Sequence, residues 1–197
     1  MATATLQDMA QYLSTGYWLE TQGNTGARWD LDFSDGNLAT QTITYSVDSN
    51  RVDADGLSWA RADLVEQAFD YISNVTGIHF LKTDDGSNCD IAFSDWDYGC
   101  YSENWDNNND GYIDYSHINI DYLWEDGYSG GDAYVMQTII HEIGHSLGLG
   151  HPGYYNGSAS FWIDADYVLD SWQATIMSYF DQDDNPFVEA DYAFVQT

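Results

Sequence analysis

The sequence predicts a single α+β domain. Three observations carry that expectation: short β-branched or apolar runs of strand length, two long stretches with apolar residues at helical spacing, and neither repeats nor proline-rich linkers across 197 residues. A chain of this length supports one sizeable core and is short for two. Its 44% hydrophobic content suits a folded globule.

Taken in order, TLQDMAQYL comes first. Thr5 and Asp8 have capping-box spacing there, and Leu6, Met9, Ala10 and Leu13 share one face, predicting a short helix that Gly16 ends. GYWLETQGNTGARWDLDFSDGN is rich in turn residues and aromatics and reads as a surface loop. TITYSV (Thr42–Val47) alternates and is β-branched, the mark of a strand, and a polar loop with Gly56 follows. Ala62, Val65, Phe69 and Ile72, backed by Ala68 and Val75, mark a long amphipathic helix closed by Gly77. GIHFLKT and CDIAFS read as two more strands, and SHINID (Ser116–Asp121) as a fourth. The second long helix runs from about Tyr134 to Leu147, with Val135, Ile139, Ile140, Ile143 and Leu147 apolar.

Charge narrows the function. Against 33 acidic residues stand only Arg28, Arg51, Arg61 and Lys82, giving a formal charge of −29. Nothing there neutralises a phosphate backbone, which argues against nucleic acid and equally against an anionic membrane surface. No apolar run approaches membrane-spanning length. The acid suits a solvated surface, and it suits binding of divalent cations; both readings stay open. MATATLQDMA lacks the basic and apolar regions of a Sec signal. Cys89 and Cys100 leave a disulfide open, since two cysteines do not decide the redox compartment.

HEIGHSLGLGH (141–151) holds three of the five histidines. Helical positions four apart differ by about 40° in direction, so His141 and His145 project side by side, as two imidazoles must to hold one zinc ion. Glu142 sits beside the pair, placed to reach a water molecule. Gly148 can take a left-handed conformation and turn the chain, bringing His151 back as a third ligand. Three protein ligands and an open position describe a catalytic zinc site. His79 and His117 have no such company and read as satisfied or exposed sheet histidines.

HExxHxxGxxH resembles the metzincin superfamily, whose second hallmark is a downstream turn with a methionine under the metal. ATIMSYF supplies Met177. With HEIGHSLGLGHPGYYNG before it, Met177–Ser178–Tyr179 is similar to the serralysin branch, in which a tyrosine two residues after the methionine is a fifth zinc ligand; that role falls on Tyr179. The likeness extends more loosely over YLSTGYW, the helix Ser58–Thr76 and SHINI.

This resemblance implies a metzincin-like zinc protease domain: a twisted mixed sheet packed on two long helices with a Met-turn, residues 1–197 forming one catalytic domain. It implies a secreted zinc endopeptidase acting on extended polypeptides, the substrate lying along an antiparallel edge strand near Ser116–Ile120. Glu142 would take the attacking water's proton and deliver it to the leaving amine. Tyr179 would help stabilise the oxyanion.

DNNNDGYID (Asp106–Asp114) carries oxygens at loop positions one, three, five and nine and glycine at six: Asp106, Asn108, Asp110 and Asp114, with the Tyr112 carbonyl as a further donor. That matches the first part of an EF-hand-type calcium loop, departing where His117 replaces the terminal glutamate. The same residues also make any exposed turn. VDADG and DQDDN lack a full ligand set and read as solvated loops.

Serralysin-like proteins continue into a C-terminal helix and calcium-binding GGxGxD repeats, whereas PFVEADYAFVQT reads as loop or strand. A fragment, a partner chain completing the domain, or a protein inhibitor are the expectations that follow. Two other classes stand beside the enzyme: a catalytically silent metal-binding domain, and a calcium-stabilised adhesion domain, which leaves the zinc motif unexplained.

Overall fold

Alternation in Thr42–Val47 buries Ile43, Tyr45 and Val47, and the strand they form lies inside a five-stranded mixed sheet. A computed structural model describes residues 5–51, 53–124, 131–189 and 191–194. The chain divides into two compact units, residues 27–147 and residues 1–26 with 148–197.

In the first unit, β1 (Thr42–Ser46), β2 (His79–Lys82), β3 (Ile91–Ser94), β4 (Cys100–Trp105) and β5 (Tyr115–Ile120) are ordered β2-β1-β3-β5-β4. All pairings are parallel except β4 with β5. Every residue of β3 is buried, as are residues 116–120 of β5, the pattern of strands covered on both faces. Helix α3 (Trp59–Thr76) starts at Ser58, whose hydroxyl accepts from Arg61 N, and stops at Gly77 with φ 78°. Its Phe69 packs on Tyr45, Phe80 and Phe93 at ring separations of 4.2, 4.5 and 5.9 Å. Burying such a ring contributes about 1.5–3 kcal/mol. The apolar stripe ends at Ile72; Val75, expected to back it, is exposed. Helix α4 (Gly131–Ser146) buries Val135, Ile139, Ile140 and Ile143.

Two expectations change in this unit. CYSENW becomes β4 although it contains no β-branched residue; its strand character comes from six registered pairs with β5. The expected substrate strand near Ser116–Ile120 is β5, which is hydrogen-bonded to β3 on one side and β4 on the other, so its backbone groups are already committed. Among the described residues, β4 is the antiparallel strand with a neighbour on one side only. His79 and His117 are the satisfied sheet histidines expected: His79 Nδ1 lies 3.1 Å from Thr42 Oγ1, and His117 Nε2 lies 2.8 Å from Ser94 Oγ. Cys89 and Cys100 are free thiols, their pKa values pushed up to about 11 and 12 by burial.

In the second unit, the capping box is present: Thr5 Oγ1 accepts from Asp8 N, and the Asp8 carboxylate accepts from Thr5 N. Gly16 does not end the helix. It is αR (φ −61°), inside a run in which α1 (Leu6–Gln11), a π-helical turn (Tyr12–Gly16) and α2 (Tyr17–Gln22) follow without a break. A side chain at position 16 would press into the Tyr12 ring, so glycine serves packing there. Gly23, at φ 73°, is the left-handed stop. Residues 17–22, expected as loop, are therefore helical, and Met9, Leu13 and Tyr17 are the buried residues of the continuous run 6–22. A small core of Tyr155, Phe161, Ala165 and Phe180 surrounds the short helix α5 (Phe161–Asp164).

Candidate metal centre

The periodicity that buries Val135, Ile139 and Ile143 places His141 and His145 one turn apart, both partly exposed. Their Nε2 atoms lie 3.1 Å apart and their ring centroids 4.7 Å. Two nitrogens about 2.0–2.1 Å from one tetrahedral zinc ion stand roughly 3.3 Å apart, so this spacing suits a shared metal. Two donors pin the end of the helix that presents them. Asn104 Nδ2 of β4 donates to His145 O at 2.8 Å, and Trp29 Nε1 donates to Ser146 O at 2.8 Å. These occupy carbonyls that a helix C-terminus otherwise leaves without partners.

Glu142 is 6% exposed, and its Oε2 is a buried oxygen with no hydrogen-bond partner among the described residues. Loss of solvation alone pushes its pKa up to about 8. A native fold tolerates such an oxygen at functional positions, where a water or substrate group supplies the missing partner.

In the other unit, Gly148 is left-handed at φ 94° and its carbonyl accepts from Trp18 Nε1 at 2.8 Å. Gly150 N then donates to Leu13 O at 2.7 Å. A Cβ on Gly150 would fall inside the Tyr17 ring, so this close approach requires glycine. His151 follows, 2% exposed, its ring edge-on to Tyr17 and stacked on Tyr155. Its Nδ1 lies 2.8 Å from the Tyr155 carbonyl. A carbonyl only accepts, so Nδ1 carries the proton, and in a neutral ring Nε2 is then the acceptor atom, the form a metal ligand takes.

Met177 is 1% exposed, within the turn leading to Phe180. The Tyr179 ring packs 4.5 Å from His151, and its hydroxyl lies 3.3 Å from both Asn156 Oδ1 and Gly157 N. His141 and His145 offer two imidazoles, and His151 of the other unit offers a third of the same kind. The donor set is the neutral three-imidazole set that zinc takes, and the orphaned Glu142 oxygen suits a water beside it.

The acidic loop is built from internal turns. Asp106 accepts from Asp110 N and Gly111 N, Asn108 from Asp110 N, Asp110 from Tyr112 N, and Asp114 from Asn107 N. Arg28 clamps it by backbone bonds to Gly111 O and from Ile113 N. The next residue is the Trp29 that reaches α4. Neither Asn104 nor Trp29 carries a sequence signal, because each acts through one hydrogen bond across the fold.

The matrixin family model (Peptidase_M10) matches residues 37–158, more than half of the chain. The chain belongs to the matrixin family. Membership implies zinc. This matrixin is 39% identical over 90 residues to Serralysin C of Dickeya chrysanthemi, covering 44% of this chain and 17% of that protein. It is 53% identical over 51 residues to the serralysin of Proteus mirabilis, covering 25% of this chain and 10% of that protein. It therefore spans less than a fifth of those relatives' length. A solved chain from the GM1 bound form of the ECX AB5 holotoxin is similar at TM-score 0.39 and 19% identity, over 71% of this chain and 63% of that one. That likeness is too slight to bear on function. Among the described residues, no helix is long and apolar enough to cross a membrane.

Proposed function

We propose that this chain is the catalytic domain of a secreted zinc endopeptidase cutting extended polypeptides. The observation that carries the reading is the pair of Nε2 atoms 3.1 Å apart on α4, one residue from a buried carboxylate oxygen without a partner among the described residues. His141, His145 and His151 would hold the metal, with Tyr179 as a further ligand and Met177 packed beneath. The bound ion would supply an activated water and polarise the scissile carbonyl.

The chain's own groups do the rest. Glu142 Oε2 accepts the attacking water's proton and passes it to the leaving amine nitrogen. Asn104 and Trp29 hold the main chain of the last turn of α4, which carries His145. The open edge of β4 offers main-chain groups that an extended peptide can pair with, fixing its register before the chemistry. Tyr179, its hydroxyl shared with Asn156 and Gly157, would donate to the oxyanion. Calcium uptake by Asp106, Asn108, Asp110, Asp114 and the Tyr112 carbonyl would rigidify the loop that leaves β4.

Hydrolysis of an unfolded, fluorophore-quenched protein by the zinc-loaded chain, with Glu142→Ala alongside, tests the reading. Activity that vanishes in the variant supports it. Two inactive proteins that both hold zinc would point to a metal-binding domain without catalysis. For calcium, calorimetry showing no uptake, or uptake indifferent to Asp110→Ala, removes that part.

A further inference from the structure

All four basic side chains, Arg28, Arg51, Arg61 and Lys82, lie within residues 27–147, so the unit made of residues 1–26 and 148–197 contains no lysine or arginine. Yet that unit fully buries a carboxylate. Asp170 is 0% exposed. Its Oδ1 accepts from Ser178 Oγ at 2.6 Å and from the Tyr155 hydroxyl at 3.1 Å, and its Oδ2 from the same hydroxyl at 3.2 Å. A buried carboxylate satisfied by two hydroxyls is costly compared with an apolar residue of similar size. The connections of those two hydroxyls show what this one achieves.

Tyr155 is held at both ends. Its hydroxyl is on Asp170, while its main-chain carbonyl takes the proton of His151 Nδ1 at 2.8 Å and its ring stacks on the His151 ring at 5.3 Å. Ser178 stands between Met177 and Tyr179, and its Oγ also accepts from Phe180 N at 3.0 Å, closing the turn. The Tyr179 ring in turn packs on His151 and Tyr155. One carboxylate thus ties the segment that orients His151 to the turn that carries Met177 and Tyr179. Asn185 Nδ2 donates to Asp170 O at 3.0 Å and holds the residue in place.

Resting on the zinc reading above, we propose that Asp170 is a positioning residue for the metal centre, fixing the His151 ring through Tyr155 and the Tyr179-bearing turn through Ser178. Outer partners of metal-binding histidines set ring direction and tautomer, and their loss typically weakens metal binding roughly 10–100-fold.

The test uses the full chain, loaded with zinc or cobalt. Zinc affinity is measured by chelator competition, and the cobalt form is followed by its visible absorption, which reports ligand geometry independently of catalysis. Asp170→Asn is expected to weaken zinc by about 10–100-fold and to shift the cobalt spectrum. Asp53→Asn serves as the control. Asp53 is equally buried, and its carboxylate accepts from Asp55 N, Gly56 N and Asp95 N, far in sequence from any histidine ligand. That variant is expected to lose stability but keep the parent's zinc affinity and spectrum.

Parent-like affinity and spectrum in Asp170→Asn would overturn the proposal, as would equal changes in both variants. A parent that takes up no metal defeats the zinc reading itself and the proposal with it. Should Asp170→Asn fail to fold, Ser178→Ala and Tyr155→Phe each remove one hydroxyl and are read in the same way. Each is expected to show a smaller shift, and parent-like behaviour in both refutes the assignment.

Discussion

Replacing Glu142 should make the metal-free protein more stable while abolishing its chemistry. The side chain is 6% exposed and its Oε2 has no partner among the described residues, a defect that costs about 1–3 kcal/mol. Glu142→Leu removes the oxygen and keeps most of the volume. Its expected gain is that same ~1–3 kcal/mol, seen as a rise of roughly 2–12 °C in the midpoint for a chain of this size. Glu142→Ala removes the oxygen but also a buried methylene worth about 0.8 kcal/mol and leaves a void, so it should fall clearly below the leucine variant. Urea titration of the metal-free proteins, followed by tryptophan fluorescence, measures the difference. On quenched substrate, both variants should lose at least the ~10²–10⁴-fold that general acid–base catalysis supplies. A leucine variant less stable than the parent would show that the Glu142 oxygen is satisfied in solution. Hydrolysis at the parent's rate by either variant would remove Glu142 from the mechanism.

Zinc at about 100 times its dissociation constant should stabilise the parent by ~2.7 kcal/mol, and His145→Ala should erase that shift in differential scanning fluorimetry. The Asp170 carboxyl is raised from 3.8 to about 6 by burial. Its folded form therefore holds the proton more tightly than the unfolded chain does. That contribution is complete below about pH 4 and lost as pH rises to about 6. At ~1.36 kcal/mol per pKa unit, metal-free parent stability should drop by about 3 kcal/mol relative to Asp170→Asn across that window, measured by urea titration at each pH. Gly150→Ala should cost at least ~1–3 kcal/mol, because the new methyl meets the Tyr17 ring. Parent-like thermal melting of that variant would show that the 148–151 segment can shift.

Much of the fold was legible because its signals are local. Ser58 and Gly77 bracket α3 as cap chemistry requires, and the β-branched pattern of Thr42–Val47 found β1 within a residue. The unread parts depend on partners. Cys100–Trp105 becomes a strand by pairing with β5, and Gly16 sits in a helix because Tyr12 needs the room. Each overrides what the local residues favour.

The sequence by itself determined the zinc-binding motif: spacing four on a helix brings His141 and His145 together, and His151 follows three residues beyond the left-handed Gly148. Its four basic residues among thirty-three acidic ones carried the expectation that the protein does not grip a phosphate backbone. Only the tertiary structure decided which antiparallel strand is the edge among the described residues, β4 rather than β5, because hydrogen bonding on both sides is a property of neighbours and not of residues. It alone showed that Glu142 Oε2 has no partner among the described residues and that Asp170 joins Tyr155 to Ser178. Such contacts link positions with no periodic relation along the chain, so no spacing rule reveals them.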